Sequence, residues 1–294
     1  MILCVTVDDV CWEGEGPGYS SVEHLAGLLR FFKEIDVRAT FFAVPRADGI
    51  PLVDKPGYVQ LLKQALEEGH AVGQHGLVHD RFETGIPPQM ILDLSHEGPA
   101  RERLARDRKA IEASHSVANL RGVVATGRRI LEEPLGIKIQ GFRAGAGSVC
   151  DNLFRALEAE GFRYDSSRWV QEAGWDIIND KTPIVPRPIT RERFDSLQGP
   201  GKLRCFPLTT DYTWYLPRKK WDITMELARH DFDDCQRVGI PFVPVCHVSP
   251  VFQCEDDLGL EFYRRLMDYA REQVKIKGEQ LQTLNLDQVS QLSI

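Results

Sequence analysis

The stretch YVQLLKQALEEGHAVGQHGLVHD (residues 58–80) changes period halfway along. Residues 58–69 read as an amphipathic helix closing at Gly69, a residue type suited to the position just past a helix end. HAVGQHG then reads as a short strand and turn. A helix running straight into a strand is the repeating unit of a parallel α/β sheet. His70 falls at the start of that strand and is read as structural. His75 and His79 lie four apart with Gly76 between them. That spacing suits one helix face, but Gly76 disfavours an ordinary helix, so a loop or single turn is expected. Two neutral imidazoles plus one carboxylate would make a three-ligand metal site with open positions. Two surface histidines in a polar loop are the plainer alternative.

Outward from this unit the alternation continues. ILCVTV (2–7) and RATFFAV (38–44) are strand patterns, and SVEHLAGLLRFFKEI (21–35) is a helix with Ser20 or Ser21 as its cap. Residues 84–130 read as mostly helical, with HEGPARERLARDRKAIEASH charged enough to be largely solvated. IKIQGFRA (137–144), RYDSSR, KLRCFPLT, VPVCHVSP (243–250) and LQTLNL are further strand candidates. DNLFRALEAEGF (151–162) and LGLEFYRRLMDYAREQVK (258–275) are helices. About seven such units favour a barrel over an open sheet, and in such folds chemistry gathers at the C-terminal strand ends. With no repeat or linker, residues 1–294 are expected to form one domain with a helical insertion at about 84–130.

Composition sets bounds. Hydrophobic residues make up 43% and charged residues 27%, ordinary globular values. A net charge of −7 argues against general nucleic-acid affinity. No apolar run approaches a membrane span of about 20 residues. The first residues meet acids too early for a signal peptide, and seven cysteines form no CxxC pair, so a cytoplasmic setting with reduced thiols is expected.

The strand ends hold the candidates. Strand one ends in Asp8-Asp9; side chains alternate faces along a strand, so the two carboxylates reach one site only where the strand ends. A merely polar strand end is the alternative. Arg143 ends the strand in GFRAGAG (141–147), where a guanidinium can fix a carboxylate or serve a salt bridge. Asp165 and Ser166 end the next strand. His247 stands in the apolar strand PVCHVSP, a setting more often occupied by a packed core histidine. The aromatics of TTDYTWY (209–215) and Trp12 can stack on sugars or pack the core; packing is preferred for Tyr212.

In this order, Asp-Asp, His-x-x-x-His, Phe-Arg-Ala, Tyr-Asp-Ser and a strand-borne His resemble the polysaccharide deacetylase family, the NodB-homology or carbohydrate esterase family 4 group. ATFFAV and GHAVGQHGLVH also match its signatures, and the resemblance runs from residue 2 to about 290. It implies a NodB-like distorted (β/α) barrel. It implies a divalent metal on Asp9, His75 and His79, zinc first, with cobalt, manganese, nickel or iron as other occupants of such a site. Asp8 would be the general base, Arg143 its orienting partner, and His247 the general acid, supported by Asp165. A backbone N–H after Arg143 would assist the oxyanion, and the small residues 144–147 would leave room for acetyl or formyl.

The chain departs from the family pattern in several places. Val10 replaces the glycine after the Asp pair, and Gly76 replaces the usual Ser or Thr. VPRADG offers Arg46 to an anionic group, and the nearest Trp behind Asp165 is Trp169. The insertion would cap the site against long polymers. The expected reaction is removal of an N-acetyl or N-formyl group from a soluble, nucleotide-linked or lipid-linked amino sugar, in deacetylase or deformylase fashion. Trp12, Arg46, Asp211 and Trp214 would contact the substrate. No nucleic-acid partner is expected, and peripheral membrane contact is left open. The alternative is a small linear or cyclic non-sugar amide; a binding-only descendant is disfavoured because all five motif positions are intact.

Overall fold

The computed structural model describes residues 1–13 and 20–292. Seven parallel strands form its main sheet: β1 (Thr6–Val10), β2 (Thr40–Ala43), β3 (Ala71–His75), β4 (Gly141–Arg143), β5 (Tyr164–Asp165), β6 (Arg204–Cys205) and β7 (Val245–His247). Their order is β7-β1-β2-β3-β4-β5-β6. The strands are buried along almost their whole length, as expected where helices cover one face and a packed interior the other.

After β6 the chain does not form a regular strand. Phe206 N–H donates to Asp165 O at 2.8 Å, and Val245 N–H donates to Thr210 O at 3.2 Å. The segment between therefore ties β5 to β7 and joins the two edges through an irregular ladder. The result is a curled (β/α) barrel, as the alternation predicts, distorted as the family resemblance implies. The strand expected over 2–7 is divided: Ile2–Leu3 pairs with Gln282–Thr283, and β1 begins at Thr6.

Helices α1 (Val22–Glu34), α2 (Pro56–Glu67), α3 (Gly98–Ser114), α4 (Val117–Leu135), α5 (Asp151–Ala159), α6 (Trp221–Val238) and α7 (Leu258–Ile276) complete the main architecture. Local chemistry sets their ends. The Ser21 side chain accepts the His24 N–H at 3.1 Å and caps α1. Proline opens α2, and Gly69 follows it at φ +86°, where a Cβ would strain the backbone.

The region expected as one insertion over 84–130 divides into two parts. Leu120, Val124, Leu131 and Leu135 of α4 join the main core, so α4 belongs to the barrel wall. Upstream, Phe82, Leu92, Ala100, Leu104 and Ile111 make a small core of their own. The excursion thus ends near residue 116. Among the described residues, no helix is long and apolar enough to cross a membrane.

Candidate active site

Register brings the strand ends together. His247 pairs beside Asp8, and His75 beside Arg143, in adjacent parallel strands. In β1 the pairing with β2 shifts between Val7 and Val10, and Asp9 sits at φ +58°. That left-handed residue breaks the alternation, so both carboxylates enter one cavity. Aspartate tolerates this conformation better than most residues.

Asp9 Oδ1 lies 3.4 Å from His75 Nε2 and 3.2 Å from His79 Nε2. All three residues are buried, and their ligand atoms fall within 4.8 Å of one another. His75 Nδ1 faces the Arg143 carbonyl at 3.1 Å. A carbonyl only accepts, so Nδ1 carries a hydrogen, and Nε2 is the nitrogen turned toward Asp9. Asp9 Oδ1 is buried with no hydrogen-bond donor. A buried acceptor flanked by two imidazole nitrogens is a donor set that fits a divalent cation. Burial alone would raise the Asp9 pKa, but His79, His75 and His247 outweigh it and hold the carboxyl well below the usual range. Burial pushes the His79 imidazole down, which favours the neutral form that ligation requires. Gly145 packs against the His79 ring so closely that a Cβ there would lie 2.8 Å from Cδ2.

Asp8 is held from beneath. Arg143 Nη1 donates to its Oδ1 at 2.6 Å and to Thr6 Oγ1 at 3.0 Å. Arg143 Nε and Nη2 donate to the backbone O and Oγ of Ser166 at 2.8 and 2.7 Å. The guanidinium lies over the Phe42 ring, 4.0 Å from its centroid, and is 1% exposed. Such a fixed fork leaves Asp8 one orientation.

His247 stands across from this pair, with Nε2 3.8 Å from Asp9 Oδ2. Its Nδ1 meets Asp211 Oδ2 at 2.7 Å. Burial pushes the imidazole down, but the Asp211 hydrogen bond and the charges of Asp9, Asp211 and Asp8 lift it to about 9. The ring is therefore an imidazolium near neutral pH.

Two expectations are corrected here. Asp165 does not support His247: its oxygens accept from Ser167 N–H at 2.9 Å and Ser167 Oγ at 2.6 Å. Asp211, expected to bind a sugar hydroxyl, takes that supporting place instead, and its other oxygen accepts from Thr213 N–H at 2.7 Å. The first N–H after Arg143 is also committed, since Ala144 donates to Ser167 Oγ at 2.8 Å.

The site floors a cavity of about 300 Å³. Trp12 and Trp214 line it; the Trp12 ring lies tilted against His79, centroids 4.2 Å apart, and Trp214 meets His247 edge-on at 4.6 Å. Arg46 is absent from the lining and sits in a small hairpin with Pro51. Tyr212 is core, its hydroxyl donating to Asp231 at 2.7 Å. Residues not singled out from the sequence complete the wall: Trp175, Arg81, and Ile91, Leu94 and Glu97 of the excursion. Arg81 Nε donates to the buried Glu97 at 2.6 Å.

The family model for polysaccharide deacetylase matches residues 3–164, more than half of the chain. No curated protein matches. Among solved structures, a protein assigned as a polysaccharide deacetylase from Mycobacterium smegmatis has 15% identity and a TM-score of 0.52, covering 92% of this chain and 75% of its own. A family 4 acetyl xylan esterase from Clostridium thermocellum, in complex with cobalt, has 13% identity and a TM-score of 0.49, covering 98% and 90%. A family 4 pseudoenzyme from Bacillus anthracis has 14% identity and a TM-score of 0.45, covering 99% and 65%. The first of these, at 15% identity, shows a likeness of fold alone. The matched segment holds Asp8, Asp9, His75, His79 and Arg143, and by that match the chain belongs to the polysaccharide deacetylase family.

Proposed function

We propose that this chain is a metal-dependent hydrolase that removes an N-acetyl or N-formyl group from a small amino sugar, free, nucleotide-linked or lipid-linked. One observation carries the reading: buried Asp9 Oδ1 lies between His75 and His79 Nε2 with no hydrogen-bond donor of its own, facing a cavity that also holds a fixed carboxylate and an imidazolium. A divalent cation on Asp9, His75 and His79, zinc by the nitrogen-rich donor set, would supply Lewis-acid polarisation of the amide oxygen and a water of lowered pKa.

The chain's own groups do the proton work. Asp8, held by Arg143, takes a proton from the attacking water. His247, kept protonated by Asp211, gives its proton to the leaving nitrogen. Water and amide become a free amine and a small carboxylic acid. Ala144, Ala146 and Gly147 leave room for a short acyl group, and Trp12 and Trp214 flank a sugar ring.

The wall contributed by Ile91, Leu94 and Glu97 favours a substrate of bounded size over a threaded polymer. The apolar surface of Trp169, Trp175, Ile91 and Leu208 supports a second reading, a compact linear or cyclic non-sugar amide. Purified protein should contain metal and release acetate or formate from a panel of N-acyl amino sugars. Acid released only from non-sugar amides would establish the second reading; no metal and no acid release would end both.

A further inference from the structure

The turn carrying His79 is held by a carboxylate seven residues after Gly76. Asp80 Oδ1 accepts the Phe82 N–H at 2.9 Å, and Glu83 N–H donates to Asp80 O at 3.2 Å. This tight turn folds Glu83 back beneath residues 76–79. Its Oε2 accepts the Leu77 N–H at 2.8 Å and its Oε1 the Val78 N–H at 2.9 Å. Two successive N–H groups converging on one carboxylate fix the backbone leading into His79, which stands at φ +61°. From the other side, Gln74 Nε2 donates to Gly76 O at 2.8 Å.

Gly76 acquires a second meaning from this contact. It sits at φ +60°, and a Cβ built on it would lie 2.5 Å from Glu83 Oε2. The glycine both permits the bend and leaves room for the carboxylate.

We propose that Glu83 is the positioning residue of the metal centre, holding His79 in ligating geometry, and that Gly76 is glycine to admit it. This rests on the metal-site reading above. Glu83 acts through backbone N–H groups, those of residues 77 and 78 and also that of His79 itself. Removing an outer partner of this kind typically costs about 10–100-fold in metal affinity.

The test uses full-length metal-free protein titrated with cobalt(II), followed by the visible ligand-field bands, with thermal unfolding of each metal-free variant alongside. Glu83→Gln keeps the size but offers one acceptor where two N–H groups need one each. Glu83→Gln and Glu83→Ala should weaken cobalt binding by about 10-fold or more and alter band intensity as His79 leaves the coordination sphere. Gly76→Ala should do the same by expelling Glu83. The double variant Gly76→Ala/Glu83→Ala should lose clearly less than the sum of the two, because both changes break one contact. Wild-type affinity and spectrum in Glu83→Gln and Glu83→Ala, or strictly additive losses in the pair, would overturn the role of Glu83. No cobalt binding by the wild-type protein would instead overturn the metal site.

Discussion

Asp211 and His247 form the shortest imidazole–carboxylate contact in the site, 2.7 Å between Oδ2 and Nδ1. The two residues come from different sides of the barrel closure, the irregular 206–211 segment and β7. The hydrogen bond orients the ring and keeps its proton. Activity should therefore fall away on the alkaline side as His247 deprotonates, at a pH that the Asp211 contact raises above the usual imidazole range. Asp211→Asn should move that limb at least about one pH unit lower. His247→Ala should cost about 100-fold or more in kcat. A pH–rate profile of wild type and Asp211→Asn checks this; coincident alkaline limbs would reject the assignment of His247 as the acid.

Asp9→Asn replaces the central carboxylate by a group of equal size and no charge. It should abolish stoichiometric metal and lower activity by at least about 100-fold. Metal analysis after equilibrium dialysis reads the first effect, and acid release the second. Metal retained at wild-type stoichiometry would remove Asp9 from the ligand set.

Arg143 is buried against Asp8, so Arg143→Met leaves a carboxylate in the interior without its partner. Breaking such a pair costs about 3–5 kcal/mol. Arg143→Lys should rescue little, because an ammonium cannot reach Asp8, Thr6 and both Ser166 oxygens at once. Denaturant unfolding of the three proteins measures the loss; equal midpoints would contradict it.

His70 gives a pH dependence of stability separate from catalysis. Its Nδ1 accepts the Ala39 N–H at 2.9 Å, so the buried ring is neutral. Burial lowers its pKa from 6.5 to about 4. Between these values the unfolded chain binds a proton that the folded chain refuses. Stability from this group is present above pH 6.5 and is lost as pH falls toward 4. His70→Asn keeps an acceptor near Nδ1 and does not titrate there. Wild type should lose up to about 3 kcal/mol more than His70→Asn between pH 7 and 4. Parallel pH–stability curves would show that His70 is not the source.

What could be read from the sequence follows from how each residue is delivered. Asp8, Asp9, His75, Arg143 and His247 sit at the ends of regular strands, where order along the chain and the parallel sheet place them together. Asp165 also ends a strand, and the family resemblance implies that it supports His247; its oxygens turn to Ser167 instead. Asp211 arrives on a segment with only an isolated bridge to Val245, and no periodicity announces such pairing. Glu83 carries no signal at all, since its partners are backbone N–H groups. The excursion was legible as charged helix, but which of its residues reach the cavity depends on packing alone. Part of the loop after the Asp pair, residues 14–19, lies outside the described residues.

The pairing of β7 with β1 joins residues almost the length of the chain apart, His247 beside Asp8. Contacts of such separation form late, because closing a long loop is entropically costly before it brings any gain. The three candidate ligands, by contrast, all lie within the first 79 residues: Asp9 on β1, His75 at the end of β3 and His79 in the turn after it, with β2 between the two strands. Metal capture and proton delivery are thus separable in assembly. On the proposed function, the metal ligands belong to the chain up to residue 79, and the acid joins them only when the last strand docks.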